Sequence, residues 1–205
     1  RRAEVPWIGL ASTGGAVVGP SRPPMFEDSP LHPASPYGAS KAAMEILGHS
    51  YSQFSTANVA SFRFANVYGP WSWHKSSAVA AFMRSACTGE PAIFRGTGEQ
   101  LRDYIFVDDL VQGILKASES EFSGTVQLGS GMPTSLLELF FLVQQVTGRE
   151  IRTTYEEPVL GEVAEVWCNV DFARARLGFS TETPLSEGLA ETWEWFQTFH
   201  AFSRD

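Results

Sequence analysis

Cysteine is nearly absent from this chain: there are two in 205 residues, Cys87 and Cys168, far apart and without metal-ligand spacing. That argues against a disulfide scaffold, offers no metal site, and favours a reducing, cytoplasmic setting. Basic charge is also scarce. Fifteen Lys and Arg face 23 Asp and Glu, for a net charge of −8. A surface for nucleic acid needs a basic face, so no nucleic-acid partner is expected. No apolar run reaches about 18 residues, the length a membrane-spanning helix requires, so no membrane association is expected. No secretory leader pattern opens the chain, and repeats and low-complexity tracts are missing. Hydrophobic residues make up 43% of the chain, enough to bury a core in one or two compact units.

The rest of the sequence is organised around SPYGASK, residues 35–41, followed by AAME. Ser35 before a proline reads as a helix N-cap, with Pro36 at the first helical position, where a missing N–H costs nothing. The helix predicted from there runs to about residue 51 and sets Tyr37 and Lys41 one turn apart on one face. A free tyrosine titrates near about pH 10, so a phenol acting as a base at neutral pH needs a cation beside it. Each unit of lowering requires about 1.4 kcal/mol of preferential interaction with the anion. Helix surfaces carry such pairs by chance, so the specificity of this one comes from its neighbours.

Those neighbours are LASTGGAVVG at 10–19, RFANVYGP at 63–70, GTGEQLRDYI at 96–105 and VDD at 107–109. In this order the blocks resemble the extended short-chain dehydrogenase/reductase superfamily, within it the NAD-dependent epimerase/dehydratase family, and most closely its UDP-glucose 4-epimerase-like members. The resemblance implies an α/β fold: the C-terminal part of a Rossmann-type parallel sheet plus the smaller α/β substrate-binding subdomain. Residues 1–70 are then the back portion of the NAD-binding unit with the Tyr-x-x-x-Lys helix, and 71–205 mainly the nucleotide-sugar-binding subdomain. NAD is the implied cofactor, a UDP-hexose the implied ligand, and a homodimer the implied assembly of the full-length enzyme. In the family several βα units precede the strand at 5–12, and the first carries a G-x-x-G-x-x-G turn for the pyrophosphate. No such turn precedes residue 12, so the sequence reads as the back portion of such an enzyme. Gly14-Gly15 follows a strand, but no helix pattern opens after it, and a phosphate-loop reading is rejected.

By the same resemblance Tyr37 is the catalytic base, and Lys41 supports it while holding the nicotinamide ribose. Family members place a Ser or Thr three residues before the Val of a V-Y-G block, to orient the reacting hydroxyl. That position is Gly14 here and Val18 replaces the tyrosine, so Thr13 is assigned, with Ser12 as the second choice and a plain Gly-rich turn as the alternative. The Ala65 backbone is implied to approach the nicotinamide. Asn66, Val79, Ala92, Phe94, Arg102 and Glu162 are the implied substrate contacts. Asn66 and Arg102 would take the diphosphate, and the strand at 91–95 would lie along the base. An amide offers donors to phosphate oxygens without adding charge, and a guanidinium grips them at two points. Val159 stands where the family carries an arginine for the second phosphate. Its loss removes a contact worth about 1.5–3 kcal/mol, one to two decades in affinity.

Further strands are predicted at 59–65, 91–95, 125–129 and 151–155. Helices are predicted at 78–87, from an N-cap at Asp108 to 116, from a Ser135 (or Thr134)/Glu138 capping box to 147, at 171–177 and at 185–202. Residues 20–36 read as an exposed Pro-rich loop in which Glu27 and His32 carry no chemistry. Trp71 and Trp73 either stack on a base or sugar or pack between subdomains. The implied activity is nucleotide-sugar 4-epimerisation by transient oxidation at C4. A nucleotide-sugar 4,6-dehydratase or reductase of the same family is the enzymatic alternative; a dehydratase would need an acid and a base where Gly14, Gly15 and Ala16 stand, which disfavours it. A cofactor-free remnant without activity of its own is the non-enzymatic alternative.

Overall fold

The computed structural model describes residues 5–158 and 163–202. In chain order the elements are β1 (Trp7–Thr13), α1 (Gly14–Val18), α2 (Pro36–Phe54), β2 (Asn58–Phe64), β3 (Asn66–Tyr68) and α3 (Ala78–Thr88). There follow β4 (Ala92–Arg95), β5 (Leu101–Phe106), α4 (Val107–Glu119), β6 (Gly124–Leu128) and β7 (Pro133–Ser135). The chain closes with α5 (Leu136–Thr147), β8 (Thr153–Glu156), β9 (Glu165–Val166), α6 (Asp171–Leu177) and α7 (Leu185–Phe202).

A parallel sheet in the order β1-β2-β6 forms one layer. β1 and β2 run in register from Trp7–Asn58 to Thr13–Phe64, and β6 joins the other side of β2 through pairs such as Phe62–Val126. Five successive residues of β2 are buried, as expected of a central strand covered on both faces. β1 departs from its expected burial: only Ser12 is buried along its length. Among the described residues it pairs on one side only, so it lies at an edge of the sheet.

The second sheet was not foreseen. After Ala65 the chain leaves the first sheet, and β3 pairs in parallel with β5. β5 in turn pairs antiparallel with β7 and parallel with β9. These strands of two to six residues carry too little alternation to be read from sequence. β4 and β8 form a separate two-stranded parallel ladder.

Two cores result. Phe62, Ile105, Val126, Leu128, Leu177 and Phe179 fill the first, under α4 and α6. Phe82, Phe94, Leu139, Phe140, Trp193 and Phe196 fill the second, among α3, α5, α7 and β4. The chain therefore returns to the first sheet well after residue 71, through α4, β6 and α6.

Local chemistry sets the helix ends. The Ser35 hydroxyl accepts from the Gly38 N–H at 3.1 Å with Pro36 behind it, and Ser135 and Glu138 close a reciprocal capping box. Two expectations need correction. A one-turn helix, α1, does follow Gly14-Gly15. The cap of α4 is Phe106, not Asp108. Both aspartates sit in its first turn, where the helix dipole favours them, and the Asp109 carboxylate accepts from the Glu182 and Thr183 N–H groups. The aromatic loop takes the packing role: Trp73 lies against Phe196, Phe199 and His200, and Trp71 against Trp195. Among the described residues no helix is long and apolar enough to cross a membrane.

Phe62 is 2% exposed at the centre of the first core. Phe62→Ala should cost about 3–5 kcal/mol, read as a lower urea midpoint with an unchanged slope.

Candidate active site

Open α/β sheets bind ligands beyond the carboxyl ends of their strands; one of two adjoining cavities opens there, past β1 and β2. The larger, about 640 Å³, is lined by Asn66, Val79, Arg84, Ile93, Arg95 and Arg102 among others. The smaller, about 280 Å³, is lined by Thr13, Ala65, Asn66, Arg102, Asp103 and the segment Val166, Trp167, Cys168. Asn66 and Arg102 line both and form the shared wall.

Of the catalytic candidates, Thr13 lines the smaller cavity, and neither Tyr37 nor Lys41 is among the residues that line either one. The lining of the smaller one includes Ser35, the cap of α2, two residues before Tyr37. Tyr37 is 57% exposed. Lys41 Nζ lies 5.8 Å from the centroid of the Tyr37 ring and donates to the Ala11 carbonyl at 2.7 Å. The lysine thus reaches across to β1 on the same side of the helix as the phenol, and its ammonium keeps further N–H donors for a ligand.

Thr13 and Ser12, weighed together in the sequence, part company. Thr13 lines the smaller cavity, and its side chain makes no capping bond to α1. Ser12 is 3% exposed and its hydroxyl donates to Glu45 Oε1 at 2.5 Å, so it faces the interior and is corrected out of the site. Gly14 is no vacancy in the cleft: a Cβ there would point inward, 3.0 Å from Gln127 Oε1 and 3.3 Å from Cys168 Sγ.

Of the substrate candidates, Asn66 donates through Nδ2 to the Asp103 carbonyl at 2.9 Å. Arg102 donates to the carbonyls of Leu101 and Ala164 at 2.8 and 3.1 Å. Both remain at the shared wall. Val79 is 2% exposed and reaches the larger cavity from the core. Ala92 and Phe94 lie on β4, whose backbone was the implied contact with the base. Their side chains are buried in the second core, and the Ala92 N–H donates to the Arg152 carbonyl at 2.8 Å. The alternation of β4 turns Ile93 and Arg95 to the cavity instead. Glu162 and Val159 lie outside the described residues.

Sequence reasoning missed the groups that hold the walls. Asp103 is 1% exposed, and its carboxylate accepts from the N–H groups of Ser130 (2.8 Å), Gly131 (3.0 Å) and Cys168 (3.3 Å), and from the Ser130 hydroxyl (2.7 Å). It pins the 129–131 turn and the cavity wall together. A Cβ at Gly129 would stand 2.6 Å from Asp103 Oδ2, so only glycine fits there. The Cys168 thiol is pushed up by burial and by the nearby Asp103 and Glu27 carboxylates. It stays protonated at neutral pH and supplies no thiolate chemistry. The Glu27 carboxyl, assigned no chemistry, has a structural task, accepting from the Gln127 N–H at 2.9 Å. Burial raises it above its ordinary value of 4.5, against the opposing pull of that hydrogen bond.

These features are those of an α/β sheet with a Tyr-x-x-x-Lys helix packed on β1 and β2. The model of the NAD dependent epimerase/dehydratase family matches residues 2–129, and the chain belongs to that family. It is 33% identical over 201 residues to the UDP-glucose 4-epimerase of Mycolicibacterium smegmatis, covering 96% of this chain and 64% of the relative. The solved UDP-glucose 4-epimerase of Thermotoga maritima, with UDP-glucose, superposes with a TM-score of 0.89 at 32% identity, covering 95% of this chain and 64% of that one. MoeE5, in complex with UDP-glucuronic acid and NAD, gives a TM-score of 0.90 at 31% identity, covering 97% of this chain and 67% of that one. The chain thus spans about 64% of the length of the Mycolicibacterium smegmatis relative.

Two outcomes follow from the buried carboxylates. Asp103→Ala strands three N–H donors and should cost at least about 3 kcal/mol, read from chemical denaturation. The folded state raises the Glu27 pKa, so it binds that proton more tightly than the unfolded chain does. The associated stability is present near pH 4.5 and is lost as pH rises through the raised value. Glu27→Gln keeps the acceptor, so its melting temperature should exceed the wild type's at pH 7–8, and the difference should close towards pH 4.5.

Proposed function

We propose that this chain is the catalytic and substrate-binding portion of an NAD-dependent nucleotide-sugar 4-epimerase acting on a UDP-hexose. The observation that carries the proposal is the placement of Lys41 between the Tyr37 ring and the end of β1, next to a cavity lined by Thr13 that shares the Asn66–Arg102 wall with a larger one. The larger cavity suits the nucleotide, the smaller the sugar, and the wall between them the diphosphate.

The residues present fit the reactive end of a nicotinamide cofactor. Ala65 lines the cavity, Tyr37 is exposed two residues beyond Ser35 of its lining, and Lys41 has donors left for a ribose. NAD⁺, when bound, supplies the acceptor for the C4 hydride and its return. Thr13 orients the sugar C4 hydroxyl, and the Tyr37 phenol oxygen takes its proton, with the Lys41 ammonium stabilising charge there. Asn66 and Arg102 keep hold of the diphosphate while the keto sugar turns over, and Tyr37 then returns the proton. A dehydratase is less well supported, since α1 begins with Gly14 and Gly15 and offers neither acid nor base. The two thiols, both unpaired, suit a cytoplasmic location. The exposed side chains of Ile46, Leu47 and Phe54 on α2 suit a homodimer.

These 205 residues contain no G-x-x-G-x-x-G turn, which favours a second reading: alone, they bind the nucleotide sugar but not the cofactor. Calorimetric titration of the purified chain with UDP and with NAD⁺ separates the readings. Binding of both supports the first, and binding of UDP alone supports the second. Failure to bind UDP defeats both. Arg102→Ala should weaken UDP binding by about 1.5–3 kcal/mol, one to two decades. Tyr37→Phe should leave UDP binding unchanged and abolish conversion of UDP-glucose to UDP-galactose. Retained turnover would refute the assignment of the base.

A further inference from the structure

The inner face of α2 is built from small residues, with Gly38, Ala42 and Gly48 buried, and one carboxylate, Glu45, set among them. Glu45 and Arg63 of β2 are 6% and 4% exposed and form a two-point ion pair. Arg63 Nε donates to Oε1 and Oε2 at 3.1 and 3.2 Å, and Nη2 to Oε2 at 2.8 Å. Ser12 donates to the same carboxylate. Ser12 directly follows Ala11, whose carbonyl holds Lys41, and Lys41 is one turn before Glu45. Two adjacent residues of β1 are thus tied to two adjacent turns of the catalytic helix.

The guanidinium also reaches the other way. Arg63 Nη1 donates to the Glu27 carbonyl at 3.0 Å and the Phe26 carbonyl at 3.4 Å. Next to these, Met25 exchanges backbone bonds with the cavity wall: its N–H donates to the Trp167 carbonyl at 2.9 Å, and its carbonyl accepts from the Asn169 N–H at 2.8 Å. Gln127 of β6 holds the same loop through Met25 and Glu27. A continuous set of bonds therefore joins the helix that carries Tyr37 and Lys41 to the Val166–Cys168 wall of the smaller cavity.

We propose that Glu45 and Arg63 are positioning residues that couple the Tyr37/Lys41 helix to the far wall of the sugar cavity, so that base and wall keep one fixed separation. A buried ion pair is a poor source of stability, because desolvation offsets the attraction and well-packed apolar side chains serve as well. Its directional bonds to three separate segments, however, fix relative position as apolar contacts do not. The sugar-holding role of the cavity rests on the reading given above; the coupling itself does not.

The test is amide hydrogen exchange of the 205-residue chain in wild type, in Arg63→Lys, and in the apolar double variant Glu45→Leu/Arg63→Met. Coupling requires exchange to quicken together, by about tenfold, in the segments 37–45 and 166–169. Quickening in one segment without the other, or in neither, overturns the proposal. If the double variant fails to fold, Arg63→Lys decides alone, since it keeps the charge and loses the fork. In parallel, the variants should keep the wild-type affinity for UDP and lose the margin by which UDP-glucose binds differently from UDP. Equal weakening of both ligands would count against positioning. A wild type that binds neither ligand would overturn the functional reading while exchange still decides the coupling.

Discussion

Between Ala65 and Asn66 the chain passes from one sheet to another, and the site depends on that step. The Ala65 N–H donates to the Leu128 carbonyl at 3.0 Å, the last rung towards β6. The next residue pairs with Tyr104 of β5. Two strand ends diverge here, and the crevice between them is where open α/β sheets receive ligands. Asn66 stands at the divergence with Arg102 beside it on β5, and so both face two cavities at once. Nothing in the side chains alone would produce that arrangement. It follows from the backbone bonds of a single residue pair.

Around that step the fold uses buried carboxylates as clamps. Asp103 gathers a turn and a wall segment, Asp109 holds the loop at 182–183, and Glu45 ties α2 to β1 and β2. A carboxylate accepts several hydrogen bonds at once and suits this use in a chain with an acidic surplus. The cost is that each must remain fully bonded, since an orphaned buried donor or acceptor is expensive.

How much could be read beforehand follows the range of the signals. The α2 start at Ser35-Pro36, the Ser135/Glu138 box and the strands at β2 and β6 rest on local chemistry and were legible. The Tyr37–Lys41 pair was legible because helical spacing is enough to bring the two together. β3, β7 and β9 were not, because their partners are distant in sequence and their lengths are too short for periodicity. Ser12 and Thr13 look alike in sequence, and only the pleat of β1 sends one inward and the other to the cavity. The same rule turned Ala92 and Phe94 into the core and brought Ile93 and Arg95 out. Glu45 left a faint trace: a charge placed on an otherwise small-residue helix face.

Against α1 and β1 that small-residue face leaves no spare room. A methyl group at Gly38 would collide with the Ala16 carbonyl, and one at Gly48 with the Leu10 side chain. The helix is therefore seated by direct backbone approach as well as by its ion pair to Arg63. Met25, Phe26 and Glu27 of the Pro-rich connection that leads into it are held by Arg63 and Gln127, so evolution is free to decorate only the exposed turn of that connection at Asp28 to Pro30, and so to reshape the entrance for different ligands, while the phenol stays where the strand puts it.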